Sequence, residues 1–128
     1  MFHLPLLTQL DVRITPMSLI SETVRKGSSG SGHQVGVGYH VSILNTSDST
    51  VRIMGKKWIV KDAKGRTLIY ESDQVFSTKP LLYPGQIFAF DGVQDLLLPA
   101  KLQLVFLVRD EQGLLYHTDP VSLFFNHR

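Results

Sequence analysis

Apolar and polar residues alternate with a period of two along most of this chain. In Gln9–Thr15, Leu10, Val12 and Ile14 are interleaved with Gln9, Asp11, Arg13 and Thr15, the pattern of a half-buried strand. Val35–Ile43 repeats it, with Val35, Val37, Tyr39, Val41 and Ile43 on one face and Gly36, Gly38, His40 and Ser42 on the other. Lys101–Val108 directs Leu102, Leu104, Phe106 and Val108 inward. Val105 and Leu107 on its opposite face imply that this side is partly covered too. Leu114–Phe125 is apolar enough for a strand, and Pro120 predicts a kink or an edge position within it.

Turn chemistry separates these segments. Asn45–Thr50 reads as a polar loop joining two antiparallel strands. Asp62-Ala-Lys-Gly65 and Asp110-Glu-Gln-Gly113 each offer an acid at the turn start and a glycine able to take positive φ, and Pro84-Gly85 suits the centre of a type II turn. Strands separated by such signals at short intervals predict an all-β fold, a sandwich or barrel. The one segment with any helical alternative is Met17–Arg25, where the β-branched Ile20 and Val24 weigh against a helix. Gly27–Gly32 consists only of glycine and serine and reads as a flexible loop between the first two strands.

The stretch from Val51 to Asp62 carries the most information. Val51 and Ile53 share one parity, whereas Trp58 and Val60 share the other, so a bulge at Gly55 is expected to switch the register. Trp58 then anchors the core. Lys57 and Lys61 fall on the opposite face, close to Lys64 and Arg66 in the following turn. Charge is distributed accordingly: residues 1–66 hold nine Lys or Arg against four acids, and residues 67–128 hold four against seven. The bland reading of the basic cluster is a solvated face. The sharper one is an anion-binding patch built from Lys57, Lys61, Lys64 and Arg66.

The 128 residues fit one domain over 1–128. Without cysteine there is no disulfide framework, thiolate nucleophile or sulfur-ligated zinc. No apolar run approaches the roughly 18 residues of a membrane span, and the N-terminus lacks the basic region and cleavage site of a secretory signal. A cytoplasmic protein is expected. No catalytic motif stands out: the serines at 28, 29 and 31 have no GxSxG elbow around them, and GxxxxGK[ST] is absent. The five histidines, His3, His33, His40, His117 and His127, lack the short spacing of a metal site, although His40 and His117 could share the outer face of one sheet. No cofactor or metal is expected.

Three segments in order, Trp58-Ile-Val-Lys-Asp-Ala-Lys-Gly65, Pro80-Leu-Leu-Tyr-Pro-Gly-Gln-Ile-Phe88 and Leu107-Val-Arg-Asp-Glu-Gln-Gly113, resemble the ApaG domain family over about residues 35–124. The resemblance implies a single immunoglobulin- or fibronectin type III-like antiparallel β-sandwich of about 7–8 strands. It also implies a small bacterial cytoplasmic protein with an indirect link to magnesium and cobalt homeostasis; eukaryotic relatives are protein-interaction modules. The family's glycine-rich G-x-G-x-x-G stretch, associated with pyrophosphate, is replaced here by Ser72-Asp-Gln-Val-Phe-Ser77, so no family binding residue is carried over.

The functional expectation is therefore a non-catalytic binding domain with a protein partner. An exposed cluster drawn from Tyr70, Phe76, Tyr83, Phe88, Phe90, Phe124 and Phe125 would serve as its surface, and edge-strand pairing offers a route to a homodimer. The alternative is phosphate or nucleotide binding through the basic patch. Neither a membrane nor nucleic acid is an expected partner.

Overall fold

A computed structural model describes residues 6–7, 10–24, 33–73 and 78–126. It contains ten strands: β1 (Leu6–Leu7), β2 (Leu10–Val24), β3 (His33–Asn45), β4 (Val51–Lys61), β5 (Thr67–Ser72), β6 (Leu81–Leu82), β7 (Ile87–Leu97), β8 (Ala100–Arg109), β9 (Leu115–Thr118) and β10 (Val121–Phe125). They form two sheets. The smaller has the order β2-β3-β7; the larger runs β1-β9-β8-β4-β5, with β10 also paired to β8 and β6 to β4.

Several short strands share a lane. β9 and β10 lie one after the other along the same flank of β8, and β6 and β5 do the same along β4. The larger sheet is thus four lanes wide apart from β1, and the smaller is three. That arrangement is the predicted sandwich, with one departure from antiparallel pairing: β1 runs parallel to β9.

The inner faces follow the predicted alternation. Val35, Val37, Tyr39, Val41 and Ile43 of β3 pack against Ile53, Trp58, Val60, Leu102, Leu104, Phe106 and Val108 of β4 and β8. Phe106 is fully buried, and its ring meets that of Phe90 edge-on at 6.4 Å between centroids. Trp58 meets Tyr39 in the same manner at 4.8 Å, so its place in the core is as expected.

Over Met17–Val24 the chain is strand, in line with the β-branched Ile20 and Val24, and it continues the ladder with β3 as far as Val24 opposite His33. Two expectations are modified. Asn45–Thr50 does not close a hairpin, since it carries the chain from β3 in one sheet to β4 in the other. His40 and His117 stand on different sheets, on β3 and β9. The Gly27–Gly32 tract and Phe76 lie outside the described residues.

The turns behave as read. Gly65, Gly85 and Gly113 all have positive φ. Asp62 and Asp110 organise their turns identically, each using one carboxylate oxygen to accept the backbone N–H groups two and four residues on. Pro120 separates β9 from β10, and the missing ladder partner for Phe106 N–H is replaced by the buried Thr118 hydroxyl, which accepts it at 2.9 Å.

Asn45 ties the sheet crossover to the β6–β7 turn beside it. It is wholly buried, and its side-chain amide donates to the carbonyls of Ser49 and Leu82 at 2.8 and 3.0 Å. Its carbonyl oxygen accepts from the Ser47 N–H and hydroxyl, and its backbone bonds Gln86 and Gly85 in the β6–β7 turn. Truncation strands several of these buried groups at once. Asn45→Ala is expected to cost about 3 kcal/mol in urea or thermal unfolding, while an exposed change such as Asp48→Ala stays within about 0.5 kcal/mol.

Candidate functional site

The parity switch in β4 builds the outer face of the larger sheet. Ile53 pairs with Val108 and Gly55 with Leu107, which leaves Met54 as the extra residue of a bulge. The backbone of Ser72 crosses so near that a Cβ on Gly55 would lie 2.6 Å from the Ser72 carbonyl oxygen. The Met54 carbonyl accepts from the Lys79 ammonium at 3.2 Å. Arg52 in turn donates to the Lys79 carbonyl at 2.8 Å, and Ile53 N–H to that of Pro80.

Beyond the bulge, Lys56, Trp58 and Val60 face inward, opposite Phe106, Leu104 and Leu102. Lys56 extends its stem along the core margin and sets its ammonium 5.3 Å from the centre of the Phe90 ring. Desolvation there lowers its pKa from the usual lysine value.

Lys57, Ile59 and Lys61 turn outward, opposite Val105, Gln103 and Lys101 on β8 and opposite Glu71, Ile69 and Thr67 on β5. An open cleft of about 630 Å³ runs over this face, lined among others by Lys57, Ile59, Val105, Leu107 and His117. Its floor is apolar and its margins are charged, with Glu71 and Asp73 on the β5 side.

The four predicted basic residues therefore divide. Lys57 and Lys61 share the outer face, and Lys64 is exposed in the β4–β5 turn. Arg66 is committed elsewhere: its guanidinium holds Asp62 with contacts of 2.8 and 2.7 Å. Asp62 is buried, and desolvation pushes its carboxyl upward. The Arg66 side-chain bond, the backbone N–H groups of Arg66 and Lys64 and the Arg66 charge together outweigh this and hold its pKa below the ordinary 3.8.

Sequence reading missed Arg52, Lys101 and Arg109 as members of the same face. Lys101 and Arg109 bracket the outward parity of β8, a signal present in its alternation; that β8 is the neighbour of β4 is not. The predicted aromatic cluster disperses. Phe90 is buried and Phe88 and Phe125 pack against the core, whereas Tyr70, Tyr83 and Phe124 are exposed on different elements.

On the smaller sheet His40 Nδ1 pairs with the Asp91 carboxylate, both exposed. Thr15 lies opposite His40, but its hydroxyl is directed to the His40 backbone carbonyl, not to the ring. That arrangement lacks the nucleophile–base contact of a catalytic triad. Among the described residues no group of three or more His, Cys, Asp or Glu could hold a metal ion, and no helix is long and apolar enough to cross a membrane.

This two-sheet fold, with a solvent-facing cleft on its larger sheet, is a β-sandwich of the fibronectin type III-like class. The ApaG domain matches residues 26–101, and the chain belongs to that family. A protein named ApaG from Methylococcus capsulatus is 29% identical over 76 residues, 59% of this chain and 60% of that protein. Another from Paramagnetospirillum magneticum is 27% identical over 105 residues, 81% of this chain and 77% of its own. The match thus spans about 60% of the length of the first of these relatives. A crystal structure of an ApaA protein from Bordetella pertussis superposes with a TM-score of 0.74 at 24% identity, covering 91% of this chain and 92% of that one. At that identity the likeness establishes the fold.

The Asp62 arrangement has a pH consequence. A carboxyl whose folded pKa lies below its unfolded value stabilises above the unfolded value, and that contribution is lost as pH falls through the folded value. Acid unfolding should therefore steepen from the ordinary 3.8 downward through the lowered pKa of Asp62. Asp62→Asn should flatten this limb in Tm measured against pH; an unchanged acid limb would show that the Asp62–Arg66 pair adds nothing there.

Proposed function

We propose that this chain is a non-catalytic binding domain of the bacterial cytoplasm that engages a protein partner through the outer face of its larger sheet. The observation that carries the reading is the open cleft, with Ile59, Val105 and Leu107 on its surface and charged groups around them. Four lanes at about 4.8 Å and a strand length of about 27 Å give a face of roughly 500 Å². One partner in a standard protein interface covers about 800 Å², so this face is matched to a polypeptide segment and is large for a small metabolite. Exposed Ile69 and Phe124 extend its apolar area beyond the cleft itself. The indirect link to magnesium and cobalt homeostasis implied by the family would operate through such a partner.

A second reading, binding of a phosphate-containing ligand, draws on Lys57 and Lys61 sharing this face. It loses part of its support in Arg66, which is already held by Asp62. Homodimer formation remains a proposal as well; β7 pairs only with β3 among the described strands and so has a free edge.

A photo-crosslinking side chain placed at Ile59 should give discrete polypeptide adducts in bacterial extract, competed away by excess unmodified protein. The same group at Ala89, on the outer face of the other sheet, should not. Equal adducts from both positions, or none from Ile59, would remove the outer face as the docking surface.

A further inference from the structure

The outer face sets like charges directly opposite one another at both ends. Lys61 faces Lys101 across the β4–β8 ladder, and Arg52 faces Arg109. Such cross-strand pairs sit about 5 Å apart and are repulsive. Among the described residues the ion pairs are Arg13–Asp11, His40–Asp91 and Arg66–Asp62, so none of these four cations is matched to a carboxylate there. Arg52 donates to the Lys79 carbonyl, and Lys101 rests 5.5 Å from the centre of the Phe124 ring. Neither contact supplies negative charge.

Between the two pairs the face is mainly apolar, through Ile59, Val105 and Leu107, interrupted by Gln103 and by Lys57, which stands opposite Glu71 on β5. Along β8 the outward residues run Lys101, Gln103, Val105, Leu107, Arg109; along β4 they run Lys61, Ile59, Lys57, Gly55, Arg52. Glu71, opposite Lys57, and Asp73 line the β5 margin of the cleft, while Asp110 and Glu111 in the β8–β9 turn direct their carboxylates to the Tyr116 hydroxyl and the Thr50 N–H. From Lys101 to Arg109 the strand advances eight residues, about 27 Å.

We infer that the partner segment is acidic at both ends and apolar in the middle, its carboxylates inserting between Lys61 and Lys101 at one end and between Arg52 and Arg109 at the other. This rests on the docking reading above and gives it a chemical identity. Charge complementarity selects the occupant: a uniformly apolar segment would leave both cationic pairs unrelieved, and a basic one would be repelled from either end. A compact phosphate could answer one pair but could not span both.

The test uses a fluorescent peptide, Asp-Glu-Leu-Ser-Val-Ser-Leu-Glu-Asp, read by anisotropy at low and moderate salt. Controls are its isomer with all acids at one end, a version with lysine for each acid, hexaglutamate and inorganic triphosphate. Saturable binding is expected, weakened about tenfold by the double change Lys61→Glu and Lys101→Glu and comparably by Arg109→Glu. Rising salt should weaken it further. The one-ended isomer and hexaglutamate should bind less well. As a check on folding, Lys101→Glu alone should raise Tm, because it converts a like-charge cross-strand pair into an opposite one.

Triphosphate competing as well as the peptide, with hexaglutamate equally effective, would show a simple anion site and overturn the proposal. Indifference to both end substitutions, or no binding at all, would also overturn it. If the Ile59 adducts persist in that last case, the docking face stands and only the acidic partner falls; if they are absent too, both fall.

Discussion

A single extra residue in β4 decides which side chains of the larger sheet become core and which become surface. Side chains alternate strictly along a strand, so without the bulge at Met54 the parity of Val51 and Ile53 would carry Lys57 inward and Trp58 outward. The bulge reverses this, seating Trp58 against Tyr39 and presenting Lys57, Ile59 and Lys61 to solvent. Its geometry is held from two directions. The close passage of the Ser72 carbonyl leaves no room for a side chain at position 55, and the Lys79 ammonium satisfies the Met54 carbonyl. One local irregularity therefore links the packing of the core to the composition of the candidate binding face.

Much of this was legible in the chain because it depends on local chemistry. The alternation in Val35–Ile43 and Lys101–Val108 identifies strands and their buried faces, and the switch between Ile53 and Trp58 reveals the bulge. Asp62–Gly65 and Asp110–Gly113 announce turns because only certain residues combine an acceptor side chain with a tolerance for positive φ. Lane order was not legible. Nothing in Lys101 or Arg109 says that they stand beside Lys61 and Arg52, since that neighbourhood arises from long-range pairing. The same limit explains Asn45–Thr50, whose composition signals a turn but not that the turn crosses from one sheet to the other. It also explains Arg66, whose basic side chain is legible but whose commitment to Asp62 appears only in the folded turn.

Family and function separate at this point. The ApaG match and the superposition define the sandwich, yet a shared scaffold does not transfer a binding site. Ser72 and Asp73 open the segment that replaces the family's glycine-rich stretch, and Asp73 adds negative charge beside the cleft where a phosphate would be least welcome. The chemistry of recognition has to be read from the residues this chain itself presents.

Those residues suggest why a repulsive arrangement can persist on the surface. The sandwich draws its cohesion from the inner faces, where Phe106, Ile43, Ile53, Leu102 and Leu104 are completely or almost completely buried. Opposed cations on a solvated face cost only a few tenths of a kcal/mol to about 1 kcal/mol per pair, since water and salt screen them. Burying one such core side chain contributes about 1.5–3 kcal/mol. The fold can therefore carry Lys61 opposite Lys101 and Arg52 opposite Arg109 without loss of integrity. An acidic ligand would offset that repulsion with cation–carboxylate attraction on docking, and this attraction would be felt as affinity. The repulsion between the paired cations persists in such a complex; what docking adds is a separate attraction, in which one carboxylate interacts favourably with both cations of a pair.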